Sequence, residues 1–183
     1  SFYIGEGNTT KVDGYAAMSN KTDFTFPIGQ FDKLRPLTIS SESSNDYTKA
    51  AYYFEDPNTP SIVGTTFDTS LTENQFLSVS EYEFWHLEGS IPSKVTLTWD
   101  QDSNASLYGD FITDLKVVGW SIIDKVWVNL GNTNVEGDFN SGSITSEDFI
   151  PSDYEIITIG GNSDLLETVE NISLDNYYMT PNG

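Results

Sequence analysis

At 183 residues the chain has the size of one ordinary domain, and 28 acidic against 8 basic residues give it a net charge of −20. So acidic a surface excludes nucleic-acid binding, which needs a cationic stripe to meet phosphates, and it repels an anionic membrane. The absence of cysteine excludes disulfides, thiolate catalysis and Cys-ligated zinc, while 11 Phe, 10 Tyr and 4 Trp supply enough apolar area for a real core.

Strand signals dominate the chain from its start. Phe2-Tyr3-Ile4 is the first short apolar run. In Phe24-Thr25-Phe26-Pro27-Ile28-Gly29, Phe24 and Phe26 alternate toward a core, the proline fixes φ, and the glycine is expected to permit a tight reversal. Leu37-Thr38-Ile39 and Ala51-Tyr52-Tyr53-Phe54 read as further strands. Asp56-Pro57-Asn58-Thr59-Pro60 must be irregular, because two prolines cannot both sit in a central ladder. The only helical signal is one or two turns at Leu71 to Phe76 or Ser78 to Phe84.

The second half is clearer. Val95-Thr96-Leu97-Thr98-Trp99 alternates cleanly, apolar on one face and threonine on the other. Leu115 to Trp120 and Val126 to Leu130 flank a turn at Asp124-Lys125 and predict a hairpin with Trp120 and Trp127 as a cross-strand pair. Tyr154 to Ile159 is a strand expected to end at Gly160-Gly161. The pattern predicts an all-β, antiparallel β-sandwich of about eight to ten strands, immunoglobulin-like or jelly-roll-like, over residues 1–161. Residues 162–183, with the short apolar runs Leu165 to Val169 and Ile172 to Leu174, read as a linker to a following domain.

Catalytic signals are weak, and the chain reads as non-enzymatic. The single histidine, His86, cannot make a zinc-protease pair, and no Gly-x-Ser-x-Gly elbow presents a nucleophile to it; it is expected to be an ordinary strand residue. Arg35 beside Pro36 predicts a buried guanidinium paired with a carboxylate, either Glu83 or Asp114.

Calcium is the best cofactor candidate. Asp100, Asp102 and Asn104 place oxygen ligands at alternate positions, and Asp110 could close the site. The glycine and glutamate of an EF-hand loop are missing: those positions hold Ala105 and Phe111. A second polar loop, 132–138, carries Glu136 and Asp138. The rival function is carbohydrate binding, with Tyr47, Tyr52, Tyr53, Trp120 or Trp127 exposed as stacking platforms for an extracellular glycan.

Several separated runs point to a family. Asp13-Gly14-Tyr15, Phe24 to Gly29, Arg35-Pro36-Leu37, Glu83-Phe84-Trp85, Leu97 to Asp100 and Asp114 to Trp120 follow one another in an order that resembles a β domain found near the C-terminus of very large surface proteins of Bacteroidota. The tail, Asn176-Tyr177-Tyr178-Met179-Thr180-Pro181-Asn182-Gly183, looks like the opening of the gliding-motility-associated C-terminal domain, the larger class of type IX secretion signal. The further Asp and Gly residues usual after Thr180, Pro181, Asn182 and Gly183 do not follow here. With Ser1 in place of an initiating methionine, this leads us to expect a segment of a larger protein. The resemblance implies export through the type IX translocon and its substrate-receiving outer-membrane barrel. It also implies display at the cell surface, on a gliding or attachment adhesin.

Overall fold

The computed structural model describes residues 7–62, 65–75 and 77–162. The expected strand at Phe2 to Ile4, the linker runs and the Thr180 to Gly183 motif lie outside the described residues.

The described chain is all-β and sandwich-like. It opens with β1 (Ala16–Met18), β2 (Lys21–Phe26) and the small hairpin of β3 (Gly29–Gln30) and β4 (Lys33–Leu34). The long β5 (Leu37–Asn45) and β6 (Thr48–Tyr53) follow, then β7 (Leu77–Val79), β8 (Phe84–Glu88) and β9 (Lys94–Asp100). After three short 3-10 turns come β10 (Leu115–Ser121), β11 (Trp127–Asn129), β12 (Asn134–Asp138), β13 (Ser141–Thr145) and β14 (Tyr154–Asn162). Without the five strands of two or three residues (β1, β3, β4, β7 and β11), nine of the fourteen remain, within the expected eight to ten.

One sheet runs β1-β6-β8-β14-β10-β11, with β7 also on β14; the other runs β12-β13-β9-β5-β2. Every ladder in both is antiparallel. Their facing sides make the main core. β9 contributes Val95, Leu97 and Trp99, and β5 contributes Leu37 and Ile39. From the other sheet come Tyr52, Trp85, Leu87, Leu115, Val117, Ile157 and Ile159. The threonines of β9 face outward at the intervening positions, as its alternation predicts.

The larger sheet is buried on both faces. Phe84, Val118, Trp120 and Ile156 point away from the main core and form a second apolar cluster with Trp127, Leu77, Val79 and Phe67. Phe67 belongs to the irregular segment after β6, which lies over this face. Strands covered on both sides lose their period-2 pattern, which is why Val117-Val118-Gly119-Trp120 and Ile156-Ile157-Thr158-Ile159 read as nearly continuous apolar runs.

Three expectations are corrected. No α-helix occurs among the described residues; the strand Leu77–Val79 overlaps the start of the proposed stretch Ser78 to Phe84, and β8 begins at its end. β14 does not stop at the glycine pair but continues to Asn162. A Cβ at Gly160 would lie 2.2 Å from the Ser78 carbonyl oxygen, and one at Gly161 would lie 1.9 Å from that of Tyr108. The glycines therefore permit close backbone packing rather than end the strand. Gly29 likewise does not make the reversal. The turn falls at Phe31, whose φ is 55°, and Gly29 is required because a Cβ there would meet the Lys33 carbonyl oxygen at 2.0 Å.

Candidate functional site

Two polar constellations stand out, one inside the molecule and one on its surface. The inner one centres on Arg35, which sits just before β5 and is 3% exposed. Its Nε donates to Glu83 Oε2 at 3.0 Å, its Nη1 to the Leu34 carbonyl at 3.1 Å, and its Nη2 to Asp100 Oδ1. Tyr52 donates its O–H to the same Glu83 oxygen at 2.5 Å.

The electrostatics follow from this geometry. Desolvation pushes the fully buried Glu83 carboxyl above its ordinary value, with Arg35, Ser103 and Tyr52 pulling it back. Desolvation also works against the Arg35 charge, but Glu83, Tyr52 and Asp100 outweigh it and hold the guanidinium firmly protonated. Burial, followed by the Glu83 charge, pushes the Tyr52 phenol far up, so it remains a donor. Of the two carboxylates expected for Arg35, Glu83 is its partner and Asp114 is not. Asp114 Oδ2 instead accepts from the Phe111 N–H at 2.8 Å.

The second carboxylate on Arg35 is Asp100, the first of the four expected calcium ligands. Asp100 also accepts from the Asp102 N–H at 2.9 Å, and the Asp102 carboxylate pairs with Lys33. Asn104 takes a left-handed conformation with φ 52° and donates its side-chain amide to the Asp102 carbonyl at 3.0 Å. Asp110 is exposed on the next loop. The acids are therefore turned toward cationic side chains, and a divalent ion would have to displace Arg35 and Lys33. Among the described residues, no group of three or more His, Asp or Glu is placed to hold a metal ion. The second polar stretch is largely strand β12; Asp138 Oδ1 accepts from the Asn140 and Ser141 amides at 2.7 and 3.2 Å.

The aromatic platform is not presented at the surface. Tyr52, Trp120 and Trp127 are 1%, 5% and 0% exposed, and Tyr53 stacks on Phe84 with ring centroids 5.1 Å apart. Tyr47 alone of the five is exposed.

The outer constellation surrounds His86 on β8. Its Nδ1 lies 2.7 Å from the Tyr15 hydroxyl, and its Nε2 lies 3.6 Å from Glu88 Oε1. Lys49 Nζ holds the same Glu88 oxygen at 2.9 Å and sits 4.9 Å from the Tyr15 ring centroid. Burial lowers the His86 pKa below its ordinary range, against the pull of Glu88 and Glu155. Together with Ile122, Ser152, Tyr154 and Glu155, His86 and Glu88 line an open cleft of about 240 Å³. Only His86 was flagged from the sequence, as a strand residue, which it is. The two-residue spacing of His86 and Glu88 was a usable sign that both face one way. Nothing in the sequence tied them to Tyr15 or Glu155.

No protein family, curated protein or solved structure matches this chain. Among the described residues no helix is long and apolar enough to cross a membrane.

Proposed function

We propose that the chain is a non-enzymatic structural module of a large cell-surface adhesin, exported by type IX secretion and set beside its parent's secretion signal. Its task is to fold outside the cell and to space or carry the adhesive regions. The observation that carries this reading is the placing of the aromatic residues. All four tryptophans lie inside, at 0–5% exposure, and the buried Arg35–Glu83 pair ties the approach to β5 in one sheet to the approach to β8 in the other. The module's acidic exterior keeps crowded copies apart and soluble.

The secretory part rests on the resemblance of residues 176–183 and of the separated β-domain motifs. The partners are then the translocon and its substrate-receiving barrel. The test is export of a reporter carrying residues 162–183 joined to the remainder of a type IX C-terminal domain. The reporter is expected at the cell surface. Export that survives deletion of the 162–183 segment and its continuation would refute the secretory reading.

A further inference from the structure

The outer face of the larger sheet changes character along β8. Phe84 lies under the segment that carries Phe67. His86 and Glu88, two and four residues on, point the same way and line the open cleft with Ile122, Ser152, Tyr154 and Glu155. We propose that this cleft binds a single pyranose unit of a neutral glycan, its hydroxyls held by Glu88, Glu155, Ser152 and His86 and its C–H face laid against Ile122 and Tyr154.

Size gives the first argument. At about 240 Å³ the cleft is smaller than the pockets that enclose drug-sized ligands, roughly 300–1,000 Å³, and it suits one six-membered ring. Hydrogen-bonding capacity gives the second. The carboxylate oxygens of Glu88 and Glu155 serve as acceptors. Ser152 Oγ already accepts from the Gly89 N–H at 3.1 Å, so its own O–H is available to donate. The Glu88 carboxylate near Nε2 favours a proton there, the tautomer in which Nδ1 accepts from the Tyr15 hydroxyl 2.7 Å away. At 3.6 Å from Glu88 Oε1 the Nε2–H is beyond a normal hydrogen bond and is open to a ligand oxygen.

Sugar hydroxyls both donate and accept, and this mixed set serves both needs. An ammonium group would leave the two donors unanswered, and an anion would face two carboxylates. Ile122, 37% exposed on the β10–β11 hairpin, supplies an apolar wall. The site is also braced from behind: Lys49 fixes Glu88, and Tyr15 fixes the imidazole. This site goes beyond the spacer reading and does not depend on it. A spacer without sugar affinity and a sugar-binding domain without a type IX route are separately observable.

The test is a titration of the full chain, followed by amide NMR, with the methyl pyranosides of D-glucose, D-galactose and D-mannose as probes. At least one is expected to move the resonances of residues 86–88 and 152–155, with a Kd of about 1 mM, as suits a ligand of this size in a small open site. Glu155→Gln is expected to weaken that binding about tenfold, since a charge-assisted acceptor is lost. Ile122→Asp, on an exposed hairpin, should do the same through loss of the apolar wall, and Phe111→Ala on a different loop should change nothing. No shifts with any of the three probes, shifts centred elsewhere, or undiminished binding in both cleft variants would overturn the proposal.

Discussion

Arg35 Nε donates to Glu83 Oε2 at 3.0 Å with both side chains withdrawn from solvent, so one ion pair links the lead-in to β5 with the lead-in to β8. Removing the buried partner leaves only the part-exposed Asp100 carboxylate to compensate the Arg35 charge, and loss of one partner of a buried pair costs about 3–5 kcal/mol. Glu83→Ala is therefore expected to destabilise the fold by about that amount in urea titrations. Tyr52→Phe, which deletes one hydrogen bond to the carboxylate, should cost about 1.5–3 kcal/mol. A loss under about 1 kcal/mol for Glu83→Ala would mean that the pair does not tie the sheets together.

Trp120 and Trp127 are directly opposite in the β10–β11 ladder, with ring centroids 5.8 Å apart and planes at 74°. Trp120→Ala is expected to cost about 3–5 kcal/mol, because the ring also packs edge-on to Phe67 in the outer cluster. A double-mutant cycle with Trp127→Ala should give a coupling of about 0.5–1.5 kcal/mol. Additive losses would show that the rings pack independently.

Gly161 lies where its missing Cβ would sit 1.9 Å from the Tyr108 carbonyl oxygen, and that neighbour is backbone. Gly161→Ala is expected to destabilise by about 1–3 kcal/mol, the range for forced overpacking. The substitution should also loosen the β14–β7 ladder, visible as faster amide exchange at residues 77–79. Unchanged stability and exchange would mean that Gly161 and the Tyr108 carbonyl are not in close contact.

Two groups each set an acid limit on stability, at separate pH windows. Burial lowers His86 below its ordinary 6.5, with Lys49 acting in the same direction and Glu88 and Glu155 opposing. The unfolded chain then binds more protons than the folded one between the lowered value and 6.5, so stability is lost as pH falls through that window. Glu155→Gln removes a raising charge and is expected to lower the His86 pKa further, which a ring-proton NMR titration reads directly. Desolvation raises Asp100, but the hydrogen bond and charge of Arg35, the Asp102 amide and Lys33 prevail and hold it below 3.8. Its contribution is present above 3.8 and is lost as pH falls through the folded value. Asp100→Asn should flatten that acid limb while leaving the His86 window intact.

Calcium is expected to have no effect on the melting midpoint. A site filled at about 100 times its Kd would add about 2.7 kcal/mol and raise the midpoint visibly. Asp100 and Asp102 already face Arg35 and Lys33, so melts with millimolar calcium and with chelator should superimpose. A clear upward shift would show that the loop rearranges to release both acids.

The sequence was most legible where one face of a strand meets solvent. Val95 to Trp99 alternates because its threonines stay outside, and the Trp120–Trp127 hairpin is short-range. β10 and β14 are legible as strands, but their broken alternation comes from the second cover over the larger sheet, a long-range contact that no local pattern carries. Gly29 and Gly160-Gly161 carry the local pattern of turn signals but are points of close backbone approach, to Lys33 across a short hairpin and to the sequence-remote Ser78 and Tyr108. Asp100 has the spacing of a metal ligand and also the position to reach Arg35, and only the fold decides between them. The cleft at His86 was invisible for a similar reason: Tyr15, Glu88 and Glu155 meet there from three separate strands or strand approaches.

The account depends most on the aromatic residues being interior, and quenching of tryptophan emission by acrylamide tests this directly. With Trp85, Trp99, Trp120 and Trp127 at 0%, 3%, 5% and 0% exposure, the native chain should show blue-shifted emission with a single poorly quenched population. Quenching should rise to that of free tryptophan only on unfolding. A readily quenched fraction in the native state would place at least one tryptophan at the surface and contradict the account.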